Sequence, residues 1–140
     1  MKYFEMTVEI MPQHIDINDH VNNVQYVQWM QDVAIAHSQA VGGRKALHEL
    51  EATWFAREHH IKYLLQVKKG EELLIRTWAD SFKRSSSIRR YDFYRRSDNT
   101  LVAEASTVWV YVDLKTGRPR PIPESLRKLY IEDDHGGLSD

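Results

Sequence analysis

The sequence predicts an α+β domain in which a five-stranded antiparallel sheet wraps one long helix. Three observations predict it. From Tyr26 to Ala40 apolar side chains recur at three- and four-residue steps, the period of one helix face. An alternating stretch precedes that segment, and four stretches rich in β-branched and aromatic residues follow it, separated by polar turns. One apolar helix and one sheet with an apolar face each need a covering surface, and wrapping the sheet around the helix satisfies both.

Residues 1–11 read as the first strand, with Phe4, Met6, Val8 and Ile10 on one face and Glu5, Thr7 and Glu9 on the other. Pro12 ends it, because proline has no N–H to give a central ladder. Residues 14–23 then form a polar run with two carboxylates, three amides and two imidazoles. Asn22 or Asn23 caps the helix that follows, its side-chain oxygen accepting from a first-turn N–H. Tyr26, Trp29, Met30, Val33, Ala36, His37 and Ala40 make the helix's buried face, and Gly42-Gly43 closes it with a left-handed cap. Residues 44–50 are a short second helix or an irregular turn; the residues leave both open.

From Thr53 the character is β. Residues 53–67 are apolar around the polar patch Arg57-Glu58-His59-His60, which breaks the run, and Lys69-Gly70-Glu71 makes a turn. Strands are expected at 72–82 and 87–96, joined by a basic turn, with Ser97-Asp98-Asn99 closing the next hairpin. Residues 101–114 are the longest strand, carrying Val108, Trp109, Val110, Tyr111 and Val112. After Lys115-Thr116-Gly117, the prolines of 119–123 block regular structure, 125–131 form a short closing helix, and 132–140 read as a frayed tail. One domain over 1–131 is expected, without repeats. Five strands leave long sheet edges that need a partner, residues 101–114 among the candidates.

Composition narrows the function classes. With 42% hydrophobic and 28% charged residues, the chain belongs with folded globular proteins and not with disordered ones. A formal net charge of -1 argues against a dedicated nucleic-acid binder. The absence of cysteine removes disulfides, thiolate metal ligands and a cysteine nucleophile. Glu5 and Glu9 interrupt any signal-peptide core, and no apolar run approaches the ~20 residues that span a bilayer. A cytoplasmic protein without membrane contact is the expectation. His14, His20, His59 and His60 with Asp16 are zinc-ligand types. No H-x-x-x-H pair lies on a helix face, however, and His59 and His60 alternate across a strand, so no metal is expected.

The polar run ends at a helix N-terminus, where unpaired backbone N–H groups and the macrodipole favour developing negative charge. That arrangement suits an oxyanion. The string Asp16-Ile17-Asn18-Asp19-His20-Val21-Asn22-Asn23, with Tyr26 and Trp29 beyond it, resembles the D-x-N-x-H-V-N-N-x-x-Y-x-x-W pattern of acyl-ACP thioesterases of the hotdog fold. The 4-hydroxybenzoyl-CoA and short-chain acyl-CoA thioesterases are wider relatives. The resemblance covers nearly the whole chain and implies a single hotdog domain that hydrolyses an acyl-CoA or acyl-ACP thioester. It implies no cofactor beyond that carrier, and a homodimer or homotetramer with sites between subunits. The family's catalytic D-x-N-x-H positions fall on Asp16, Asn18 and His20. Two departures stand out: an acid found on the strand after the helix is replaced near Gln66, and one found two residues before Asp16 is replaced by His14.

Thioester hydrolysis needs a nucleophile or base at the carbonyl carbon and donors where its oxygen becomes negative. Asp16 takes the first role, by direct attack or by deprotonating water; both stay open. Backbone N–H groups of Asn22, Asn23 and Val24 take the second. His20 polarises the carbonyl or protonates the leaving thiolate, Asn18 holds Asp16 or water, and Gln66 positions water. The basic turn with Arg84, Ser85, Ser86 and Arg89 suits the phosphates of coenzyme A or a phosphopantetheine arm. The same cluster also serves as a solvated edge that discourages strand pairing. Two further classes remain: a non-catalytic acyl-thioester binding module, which the missing strand acid favours, and a hotdog hydratase or dehydratase acting on a carrier-bound acyl chain.

Overall fold

The computed structural model describes residues 2–131; the expected tail at 132–140 lies outside the described residues. Strand β1 (Phe4–Glu9) and a 3₁₀ turn (Pro12–His14) lead to the long helix α1 (Asn23–Val41) and then to α2 (Gly43–Leu50). Strands β2 (Ala52–Tyr63), β3 (Glu72–Phe82), β4 (Ser86–Arg95) and β5 (Thr100–Asp113) follow, and α3 (Glu124–Ile131) closes the described chain. Residues 44–50 are thus helical. No helix among the described residues is long and apolar enough to cross a membrane.

The sheet is antiparallel throughout, but its order is β1-β3-β4-β5-β2. Strand β2 crosses to the far side of β5, so β1 and β2 are the edges. The expectation that residues 101–114 present an edge is therefore wrong: β5 is paired on both sides, by β4 and by β2. The physical reason lies in composition. The most continuously apolar strand gains most from a central position, whereas the polar run at Arg57–His60 sits at an edge where water reaches its side chains. That run does not break β2, which passes through it with a bulge at Arg57. The strand stops at Tyr63, short of Val67, because Leu64 and Leu65 N–H both turn onto the single carbonyl of Val102. Gln66 therefore stands outside any strand.

Helix α1 lies across the inner face of the sheet. Its cap is Asn22, whose side chain accepts from Val24 N–H, and it ends at Gly42 in the left-handed region at φ 84°. Tyr26, Trp29, Met30, Val33, Ala34 and His37 are buried. Ala36 and Ala40, expected on that face, are half-buried and exposed. Ala36 lies at the margin of the buried stripe, and Ala40 is in phase with it but falls in the last turn of the helix. The first half of α1 packs with Leu73, Ile75, Tyr91 and Phe93 in one core cluster. A second cluster of Ala52, Ala79, Tyr111, Leu126 and Tyr130 fills the other end, covered by α3. A Cβ at Gly43 would fall 2.1 Å from the Tyr130 hydroxyl, so only glycine lets α2 begin against α3.

Candidate functional site

Residues 14–22 form a miniature hairpin that leads directly into α1. Ile15 and Val21 make an antiparallel bridge, Asp16 N–H donates to His20 O at 2.7 Å, and Asn22 N–H donates to His14 O at 2.8 Å. At the tip Asp19 N–H donates to Asp16 O at 3.0 Å, and Asp19 itself is left-handed at φ 65°, a conformation aspartate tolerates better than most residues. Val21 is buried and anchors the loop to the core. Side chains alternate along each arm, so Asp16 and His20 face away from Ile15 and Val21.

Asp16 has a divided role. Its Oδ1 accepts from Asn18 N–H at 2.9 Å and His20 N–H at 3.2 Å, the Asx pattern that holds the turn. Its Oδ2 carries no hydrogen bond within the described residues. His14, at the position of the missing acid, is occupied structurally: Nδ1 accepts from Met11 N–H at 2.9 Å, and the ring stands edge-on to Trp29 at 5.2 Å. The side chains of half-buried His20 and exposed Asn18 make no hydrogen bond within the described residues.

Of the three backbone donors expected at the helix start, two are already used. Asn22 N–H is bound to His14 O, and Val24 N–H to the Asn22 side chain at 3.0 Å. Asn23 N–H has no partner among the described residues, and it points out of a helix N-terminus. Gln66 is exposed and hydrogen-bonded to nothing in the hairpin.

The basic segment does not form one surface cluster. Arg84 is exposed in the β3–β4 turn and Ser85 and Ser86 are half-buried, with Ser85 O accepting from Tyr111 N–H at 2.8 Å. Arg89 instead points inward, in phase with Ser87, Tyr91 and Phe93, and is only 6% exposed. Proximity along the chain suggests a single patch, but the period of two on β4 divides it. The turn also lies beside the second core cluster, toward the C-terminal end of α1, while the Asp16 hairpin sits at its N-terminal end. The helix between them is about 28 Å long.

A groove of about 570 Å³ runs between α1, the first half of β2 and the inner face of the sheet. Aromatic and aliphatic side chains such as Ile35, Trp54, Phe55 and Trp109 wall it, Arg44 and Arg89 contribute charge, and among the described residues no Asp or Glu lines it. Its nearest helix residue, Gln31, is about 12 Å along the axis from Asn23. Within one chain the groove and the Asp16 hairpin are therefore separate.

At the groove floor Arg89 Nη1 donates to His37 Nδ1 at 2.9 Å and to Thr77 Oγ1 at 3.1 Å, and its guanidinium lies 5.7 Å from the Tyr130 ring centre. Tyr130 and Ser38 hydroxyls meet at 2.8 Å. Burial works against the Arg89 charge. Arginine can only donate, so His37 Nδ1 is an acceptor and its proton sits on Nε2, which is buried without a partner. Burial, then the Arg89 and Lys2 charges, push the His37 pKa down to about 3. The sign of the consequence follows from linkage. Above pH 6.5, its ordinary value, the ring is neutral folded or unfolded; below it the unfolded chain takes up a proton that the folded chain refuses until about 3. Stability should fall by about 1.4 kcal/mol per pH unit across that window. His37→Asn keeps an acceptor for Arg89 but cannot titrate there, so urea melts between about pH 7 and about pH 5 should show roughly one proton less of pH dependence.

Sequence reasoning overlooks this buried pair, although two signals are present. His37 interrupts an otherwise apolar helix face, and Arg89 is in phase with two aromatic residues of its strand.

Residues 10–129 match the family model described as the thioesterase-like superfamily. A curated relative, the L-carnitine dehydrogenase/betainyl-CoA thioesterase of Rhizobium meliloti (strain 1021), is 28% identical over 130 residues, covering 89% of this chain and 25% of its own length. The chain thus spans about a quarter of that relative. Among solved structures, a 1,4-dihydroxy-2-naphthoyl-CoA thioesterase from Synechocystis superposes with a TM-score of 0.84 at 15% identity, covering 96% of this chain and 99% of that one. A Staphylococcus aureus protein in complex with CoA gives 0.81 at 20% identity, covering 91% and 81%. The 12:0-ACP thioesterase from Umbellularia californica gives 0.82 at 15% identity, covering 94% and 51%. At these identities the superpositions establish a shared fold.

Proposed function

This chain belongs to the thioesterase-like superfamily, and we propose that it hydrolyses an acyl-CoA or acyl-ACP thioester to free acid and thiol, with its sites shared between two copies. The observation that carries this reading is the pairing of Asp16 with the helix start. One carboxylate oxygen is tied down by backbone N–H groups, the other is open, and Asn23 N–H is left over at the helix N-terminus. In the reaction the open oxygen either attacks the thioester carbon or takes a proton from the water that does. The carbonyl oxygen becomes negative and meets Asn23 N–H and the positive end of the helix dipole. The C–S bond breaks and the thiolate leaves; after direct attack, water then cleaves the mixed anhydride. His20, opposite Asp16 in the hairpin, is assigned to the leaving sulfur, and Asn18 and Gln66 to water.

The exposed surface supports a second copy. Phe55, Tyr63, Leu64 and Leu65 at the β2 edge, with Val24 and Ile35 on α1, leave large apolar side chains in water. Strand β2 also presents an unpaired edge beside them. Antiparallel pairing of β2 with β2 about a two-fold axis near mid-strand sets the first half of one strand against the second half of the other. The second half ends at Tyr63, whose ring packs at 5.2 Å from Tyr26 in the first turns of α1. The helix start of one copy would then border the groove of the other. Arg84, Ser85 and Ser86, just beyond the groove end where Phe82 and Ser87 line it, are assigned to the phosphates of the carrier arm.

Thiol release from a panel of short, long and aromatic acyl-CoAs and an acyl-ACP tests the activity, and sedimentation tests the pairing. Hydrolysis by a dimer or a tetramer is expected; a strictly monomeric active protein would rule out the shared site. Exposed Gln66, where related enzymes carry an acid, favours a non-catalytic binding module as the second reading. Tight acyl-CoA binding without thiol release across the panel would establish it.

A further inference from the structure

We propose that Arg89 recognises an anionic group on the ligand, a carboxylate at the far end of the acyl chain, at the floor of the groove between α1 and the sheet. Assigning that group to the acyl chain rests on the thioesterase reading above; the anion site itself does not.

The first support is an unbalanced charge. Arg89 is almost wholly buried, yet its contacts are His37, Thr77 and the Tyr130 ring, and no carboxylate among the described residues pairs with it. Taking a cation out of water costs several kcal/mol unless an anion and good hydrogen bonds accompany it. Neutral His37 offers a lone pair but no charge.

The second support is where the remaining donors face. Nη1 serves both His37 and Thr77. Among the described residues, the buried side-chain polar atoms without a partner are His37 Nε2, Trp109 Nε1 and Tyr111 Oη. Arg89 Nε and Nη2 make no hydrogen bond among the described residues, and Arg89 lines the groove. The Nε–Nη2 edge is the one that grips a carboxylate through two parallel hydrogen bonds.

The third support is the groove's character. Arg44 adds a second cation to its lining, no acid among the described residues lines the groove opposite them, and the walls between are apolar and aromatic. Such a cavity fits a hydrocarbon chain that ends in an anion. Gln31, near the mouth, and Ser38, beside Tyr130, are about 10 Å apart along the helix, so a medium-length chain reaches the floor. A quaternary ammonium, as a betainyl group carries, would meet repulsion there.

Titration of the wild-type protein with octanoate and with neutral octanamide, followed by fluorescence of the groove tryptophans Trp54 and Trp109, tests the anion site without thioester chemistry. Octanoate should bind at least ~10-fold more tightly, the scale of a charge-assisted pair, and Arg89→Met should remove the difference. Equal wild-type affinities would overturn the proposal, whether or not the Met variant folds. In thiol release, kcat/KM for suberoyl-CoA should exceed that for equally long octanoyl-CoA by about 10-fold, with betainyl-CoA poorest. Equal values for suberoyl-CoA and octanoyl-CoA would overturn the assignment to the acyl chain and leave thioester hydrolysis standing. Octanoate preference without thiol release from any of the three or from the wider acyl-CoA and acyl-ACP panel would uphold the anion site and overturn the thioesterase reading instead.

Discussion

Replacing Asp16 with Asn should lower turnover at least ~100-fold while the protein melts close to wild type, the scale of loss expected for a catalytic group. The geometry makes this substitution discriminating. The Asn side-chain oxygen can still accept from Asn18 and His20 N–H, so the turn keeps both of its side-chain hydrogen bonds. Only the second oxygen changes, from an anionic acceptor to a neutral NH₂ that cannot attack carbon or take a proton. Asp16→Ala would confound the two roles, because it removes the turn bonds as well. Thiol release measured beside a thermal melt separates them, and an Asn variant with normal turnover would remove Asp16 from the chemistry.

Tyr26→Ala should produce the largest stability loss, about 3–5 kcal/mol, the range for deleting a buried aromatic ring. Tyr26 is 3% exposed and meets three rings edge-on, Trp29 at 5.6 Å, Tyr63 at 5.2 Å and Phe93 at 5.1 Å. These contacts join α1, the end of β2 and the middle of the sheet, so the cavity would open where the helix start is held in place. Against a typical domain stability of about 5–15 kcal/mol, the loss should lower Tm by on the order of 10 °C or more. Tyr26→Phe keeps the ring and its three contacts and should stay within about 1.5 kcal/mol of wild type. Burial and the neighbouring Tyr63 push the hydroxyl pKa up to about 12, so that proton stays on throughout the working range. Denaturant melts decide the matter: an Ala variant within about 1 kcal/mol of wild type would show that the cluster does not hold the helix start.

The proposed site was legible in part. Asp16, Asn22 and the helix start could be read because each depends on residues within a few positions. Asp16 bonds to residues two and four further on, and Asn22 caps with a residue two further on. The same proximity misleads at Arg89, where neighbours in sequence lie on opposite faces of one strand. It misleads again for the helix-start donors, since Asn22 N–H is taken by His14 across the hairpin, and only Asn23 remains open.

By itself the sequence determined the helix, its caps and most of its buried stripe, three of five strands within a residue, and the turns between them. Those features follow from side-chain period and local hydrogen bonding, which act over one or two turns of chain. Only the tertiary structure decided that β2 lies at the edge beyond β5 and that Arg89 meets His37 under the groove. These depend on pairings between distant segments: His37 and Arg89 are 52 residues apart, and β2 pairs with β5 although β3 and β4 lie between them in the chain. No local period encodes which distant surface a strand or a buried charge will meet. The Asp16 hairpin was written in its own residues, and the groove that would receive the acyl chain was not.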